Sequence, residues 1–201
     1  MRRILSIAYA AAFAAAFAFS PSQPTGASGG GVPPVPAAIQ VPAGNELFRV
    51  GNATGTQNYV CLPAGSGVKY ALFTPQATLF EKREEVMTHY FGPNPSEGGT
   101  VRAAWQHSRD TSIVWGEVKP GNSSSDPAYV APGAISWLLV TIVGYQDGPT
   151  GGDQLKGTTF IQRLNTSGGV APETGCSAPE DIGNKAFVPY TTDYYFYKAT
   201  R

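Results

Sequence analysis

The chain has 201 residues, enough for one sizeable domain, with 14 basic and 14 acidic side chains and a formal net charge of zero. Only 14 % of the residues are charged, so the chain lacks the basic field that binds nucleic acid or anionic lipid. With 24 glycines and 17 prolines, the composition favours short strands joined by turns over long helices.

In chain order, Arg2 and Arg3 precede an apolar, alanine-rich run from Ile4 to Phe19 that ends in small residues before Pro21. This is the pattern of a secretory signal peptide over residues 1–20, and the apolar run is shorter than the ~20 residues a membrane helix needs. The protein is therefore expected to be secreted, periplasmic or extracellular, with no transmembrane segment once the signal is removed. Removal leaves 12 basic against 14 acidic side chains. Residues 21–44 are rich in Pro, Gly and Ser and read as a linker, because they hold few large apolar groups to offset the entropy of ordering them. A single β-domain is expected over 45–201, its folded part beginning at Ile39 or Glu46.

From there the pattern is mostly period two. Glu46 to Val50 alternates as a short strand, and Gly55 to Leu62 places Tyr59 and Cys61 on one face. A turn at 63–67 leads to a strand with Val68, Tyr70 and Leu72 on one side. The segment from Ala77 to Phe91 is ambiguous: Leu79, Arg83, Met87 and Tyr90 fit helical spacing, whereas Val86, Thr88 and Tyr90 fit a strand, which is the reading preferred for 85–91. Val101, Ala103 and Trp105 alternate, as do Ile113, Trp115 and Glu117, and 120–127 reads as a polar loop. The run from Ile135 to Val143 is the most apolar of the mature chain and rich in β-branched residues, so it is expected to be a strand buried on both faces. Thr158 to Cys176 reads as a strand that enters a glycine turn and then reaches one of only two cysteines; Tyr190 to Tyr197 is an aromatic strand. No repeat of 20–50 residues is present, so a propeller or solenoid is not supported. The fold class expected is all-β, an antiparallel β-sandwich or small β-barrel. Cys61 and Cys176 form an even pair in an exported chain, from which one disulfide is expected.

The motifs from Trp105 to Trp115, Ile135 to Leu139, and Phe160 to Thr166, with Gly168, Gly169 and Cys176, and then Val188 to Tyr190 and Asp193 to Tyr197, follow one another in a specific order. Together they resemble a family of secreted bacterial and fungal proteins that carry a domain of unknown function, over roughly Leu47 to Tyr197. The resemblance implies no activity and no catalytic residues. Some members of that family carry a malate dehydrogenase-like label, which these residues do not support. The nearest dinucleotide-binding turn, Gly65 to Tyr70, lacks the third glycine and runs into a strand rather than a helix. The chain departs from the family around Gly92 to Thr100, where a loop is enlarged.

Candidate chemistry is sparse, and no cofactor signature is present. His89 and His107 are the only histidines and, with Asp110 or Glu97, are candidates for a metal site of nitrogen and oxygen ligands. A Ser-His-Asp hydrolase would draw on Ser108 or Ser112, a histidine, and Asp110 or Asp193, but no nucleophile-elbow motif is present. Candidates for binding a ligand are the aromatic residues Trp105, Trp115, Tyr194 and Tyr195, and the polar residues Arg109, Asp110, Gln162, Arg163 and Asn165, which lie in apolar neighbourhoods. Asn52, Asn122 and Asn165 begin N-glycosylation patterns, relevant only in a eukaryotic host. The function expected is a monomeric, non-catalytic binding module for carbohydrate or a small apolar ligand. The alternatives are an extracellular hydrolase or metal-dependent enzyme built on His89, His107 and a carboxylate, and a structural surface component. Convergence of Gln162, Arg163, His89 and Trp105 on one cavity would mark a site; scatter would mark packing.

Overall fold

Each segment with an alternating pattern forms a strand. The computed structural model describes residues 31–201; the expected signal peptide and the first part of the linker lie outside them. The strands are β1 (Asn45–Ala64), β2 (Gly67–Glu81), β3 (Glu84–Asn94), β4 (Thr100–His107), β5 (Ile113–Ser124), β6 (Trp137–Gln146), β7 (Thr158–Gly168) and β8 (Lys185–Ala199). Each pairs antiparallel with its neighbour in sequence, and β1 also pairs with β8, so the sheet closes on itself as a barrel. Of the two all-β architectures expected, this is the barrel. Closure removes the unpaired edges that an open sheet would present.

The ambiguous segment resolves as a hairpin. Leu79 on β2 and Met87 on β3 are cross-strand partners, and Lys82, in the left-handed region at φ 58°, turns the chain between them. Their apparent helical spacing comes from a chain that folds back on itself and brings both side chains into the interior. The polar stretch expected as a loop from Pro120 is instead strand as far as Ser124, where Ser123 and Ser124 pair with Leu138 and Trp137 after a register shift. Ladder pairing overrode the loop-like composition of this stretch, whose side chains largely face solvent.

Period-two alternation assigns side chains to two faces. Inside the barrel, Leu79, Met87, Val114, Ile161 and Phe196 pack in one cluster with Trp105, Val140 and Tyr194. Outside, Trp137, Leu139, Leu164, Tyr195 and Tyr197 form a second cluster that is covered by the segment before β1. That segment, 32–44, falls within the expected linker but lies against the barrel. It makes a 3-10 turn at Ala37–Ile39, and Ile39 is fully buried. Burying an isoleucine side chain stabilises by about 1.5–3 kcal/mol, and Val35 and Val41 of the same short strap pack beside it. The strap also explains β6: Leu138 and Val140 face the interior while Trp137 and Leu139 lie beneath the strap, so the strand is buried on both faces as expected.

The two ends of the barrel differ. At one end the connection 147–157 folds across the barrel and inserts the fully buried Leu155 into the interior cluster. It is tied down by Asp110, which accepts from Gln154 N at 2.7 Å, and by Ser112 Oγ, which accepts from Leu155 N at 3.2 Å. Gly152 is required here, since a Cβ would collide with the backbone oxygen of Asp110. At the other end, the expected disulfide joins Cys61 of β1 to Cys176 in the β7–β8 connection, with Cα atoms 5.5 Å apart and a sequence separation of 115. Among the described residues no helix is long and apolar enough to cross a membrane.

Candidate functional site

The interior is not filled along its whole length. Toward the disulfide end it holds a cavity of about 320 Å³, at the lower end of the ~300–1,000 Å³ typical of small-molecule sites. Space remains where β4 contributes only the small side chain of Ala103, whereas the closed end receives Leu79, Met87 and Phe196; at Gly116 of β5 the Val140 and Ile142 side chains take the place of a Cβ. Its inner wall is formed by His89, Trp105, Val140 and Tyr194, with Gln57 and Arg163 beside them. Leu72, Val101 and Val118 line its mouth and are exposed.

His89 is buried among aromatic rings. It stacks on Trp105 with centroids 4.3 Å apart and planes 12° apart, and it meets the Tyr194 ring edge-on at 5.2 Å. Burial holds its pKa down to about 3; the hydrogen bond to Ala104 opposes this and the positive charge of Arg163 adds to it. The ring is therefore neutral. Its Nδ1 lies 2.9 Å from Ala104 O, and because a carbonyl only accepts, Nδ1 carries the proton and Nε2 is left as an acceptor. Nε2 has no hydrogen-bond partner among the described residues. A base this weak cannot take a proton efficiently near neutral pH.

Two arginines line the cavity, and their surroundings differ. Arg102 at the mouth is paired with Glu97 at 2.7 Å and Glu117 at 3.1 Å. Arg163 donates through Nε and Nη2 to the same acceptor, Ser136 O, at 3.2 and 2.8 Å. Among the described residues it has no carboxylate within ion-pairing distance. Burial raises the Tyr194 pKa, and the Arg163 charge and hydrogen bond pull it the other way. Two further residues of the wall, Gln57 and Trp105, carry buried nitrogens, Nε2 and Nε1, that have no partner.

The structure brings together Arg163, His89, Trp105 and Tyr194 and sends the other candidates elsewhere. Gln162 points to the outer face, opposite its neighbour Arg163. It donates from Nε2 to Ile39 O at 2.7 Å and accepts at Oε1 from Tyr197 OH at 2.6 Å, so it fastens the strap. Tyr195 lies in the same outer cluster. Trp115 packs outside with Ala104, Ile113 and Tyr90. Asn165 adopts a left-handed conformation at φ 52° and donates to Asp193 at 2.8 Å on the surface. Arg109 forms an exposed pair with Glu84 at 2.8 Å, an interaction worth about 0–1 kcal/mol.

His107 and Asp110 sit at the closed end, 3.0 Å apart. Ser112 Oγ donates to the same Asp110 oxygen at 2.8 Å, and Ser112 is fully buried. The carboxylate thus stands between histidine and serine, whereas a nucleophilic triad needs the histidine between the other two. Burial would raise the Asp110 pKa, but the N–H groups of Gln154 and Ser112 and the Ser112 hydroxyl outweigh it and hold the carboxyl below its ordinary value. These groups close the barrel floor. The two histidines keep separate partners, and among the described residues no group of three or more His, Cys, Asp and Glu side chains is arranged to hold a metal ion.

The residues missed from sequence are Gln57, Ala103 and Gly116, and the Arg102–Glu117 pair. Gln57 alone carried a signal, as a polar side chain on the inward parity of an alternating strand. No match is found among curated proteins or among solved structures. A family model described as "Protein of unknown function (DUF3455)" matches residues 42–198, which takes in all eight strands but for the last residue of β8. The chain belongs to this DUF3455 family of proteins of unknown function.

Proposed function

We propose that the protein is an exported, non-catalytic binding module whose barrel interior takes one small, largely apolar ligand. The observation that carries this reading is the cavity itself. Eight-stranded antiparallel barrels have an interior just wide enough for side chains or for one small ligand, and here the small side chain of Ala103 leaves room for the second. Its wall is mostly apolar and aromatic, with few polar groups, as small-molecule sites are.

A small apolar ligand is favoured over a carbohydrate by the placement of the aromatic rings. Stacking on a sugar needs a free ring face. One face of Trp105 is covered by His89, while Trp115 and Tyr195 are buried in clusters outside the barrel. Export is supported by the signal-like leader and by the Cys61–Cys176 disulfide, since such bonds persist in oxidising compartments.

The test is a titration of the purified protein with an uncharged apolar probe, decan-1-ol, read by tryptophan fluorescence, alongside Ala103→Trp, which fills the cavity. Saturable quenching in the wild type and its loss in a folded Ala103→Trp variant are expected. No saturable response in the wild type, or an equal response in both, would sink the proposal.

A further inference from the structure

The polar groups of the cavity are unbalanced in a way an uncharged ligand does not match. Arg163 is the one cavity-lining cation without a carboxylate partner among the described residues, in contrast to Arg102, which has two. A guanidinium has five N–H donors in a fork that fits a carboxylate at two points. Only Nε and Nη2 of Arg163 donate within the hydrogen-bonding limits to a protein carbonyl, and both reach the same oxygen. Gln57, which is buried and lines the same wall, carries both a donor and an acceptor and leaves this balance unchanged. Against these donors, the lining offers the uncharged acceptor nitrogen of His89, the Tyr194 hydroxyl that Arg163 already meets, and the Glu117 carboxylate that Arg102 already engages.

We propose that the ligand bears a carboxylate that Arg163 binds, with an apolar body that extends along the cavity toward the mouth. This deepens the reading of the barrel as a binding module and rests on it. A carboxylate only accepts hydrogen bonds, so it meets the excess of donors, and its single charge is neutralised by one guanidinium. A dianion such as a phosphate monoester would leave an uncompensated negative charge in a mostly apolar cavity, which is costly. Leu72, Val101 and Val118, which line the mouth and are 44, 62 and 42 % exposed, give the apolar body a path out of the barrel.

The experiment compares decanoate with decan-1-ol, which share a chain length and differ in the head group, by isothermal titration at pH 7.5. Wild type is expected to bind the acid at least about tenfold more tightly than the alcohol, the scale of one charge-assisted pair. Arg163→Gln should abolish that preference, whereas Arg163→Lys should keep part of it. Equal binding of acid and alcohol by wild type overturns the carboxylate inference and leaves the binding module standing; no binding of either probe overturns both. Should Arg163→Gln fail to fold, judged by its thermal transition, Arg163→Met takes its place: no preference for the acid in wild type refutes the inference, and an undiminished preference in Arg163→Met would refute it as well.

Discussion

The neutral state of His89 makes barrel stability depend on pH in a defined window. In the unfolded chain the imidazole titrates near 6.5, while in the barrel, burial first and the Arg163 charge in addition hold it at about 3. Below pH 6.5 the unfolded chain takes up a proton that the folded protein does not. The stability linked to His89 is therefore fully present above about pH 6.5 and is lost as pH falls toward 3. At ~1.36 kcal/mol per unit, the loss between pH 6.5 and 4.5 is about 2–3 kcal/mol. The groups that face the ring are the Trp105 and Tyr194 rings, the Ala104 carbonyl and the Arg163 charge, with no carboxylate among them. His107 is also held below its ordinary value, chiefly by burial, and contributes in the same direction, so the comparison must be between wild type and His89→Phe. Phenylalanine keeps a ring against Trp105 and does not titrate. Urea unfolding at pH 7.5, 5.5 and 4.5, with m-values checked for constancy, should show wild type losing about 2–3 kcal/mol more than the variant. Parallel pH profiles for the two proteins would refute the assignment of a neutral, buried His89.

Removal of the disulfide by the double substitution Cys61→Ala and Cys176→Ala should lower stability by about 4–5 kcal/mol in the loop-entropy model, read as a shift of the thermal transition; a transition unchanged from wild type would show that the crosslink does not restrain the unfolded chain. Gln162→Leu leaves Ile39 O and Tyr197 OH without their partner, at a cost of about 1–3 kcal/mol, and should open 32–41 to proteolysis; unaltered protection there would disprove the fastening role. Gly116→Ala sets a Cβ against the Val140 side chain and should cost about 1–3 kcal/mol by overpacking, together with a weaker response to decan-1-ol. Asp110→Asn removes the charge that holds the floor connection and should speed hydrogen exchange at Gln154 and Ser112, whose N–H groups it accepts; unchanged exchange would place the restraint elsewhere.

Much of the fold was legible because its causes are local. Alternation identified the strands, from Glu46–Val50 to the aromatic run at Tyr190–Tyr197, and two cysteines in an export context led to the disulfide. The site was less legible because the reading grouped residues that are neighbours in sequence. Gln162 with Arg163, and Tyr194 with Tyr195, looked like pairs, yet successive residues of a strand point to opposite faces. One member of each pair faces the cavity and the other lies beneath the strap. Composition marked 21–44 as a linker, with the folded part expected to begin at Ile39 or Glu46; of that stretch, 32–44 lies against the barrel because Val35, Ile39 and Val41 pack once a groove on it exists.

By itself the sequence determined what depends on short-range chemistry: the strand alternation, the turns, the all-β class and the cysteine pair. Only the tertiary structure decided what depends on closure. Pairing of β1 with β8, between residues more than a hundred positions apart, made the sheet a barrel rather than a sandwich. Closure also gave each strand an inside and an outside, joined His89, Trp105, Arg163 and Tyr194 from four strands around one space, and left that space open where the small Ala103 fell on the inward parity.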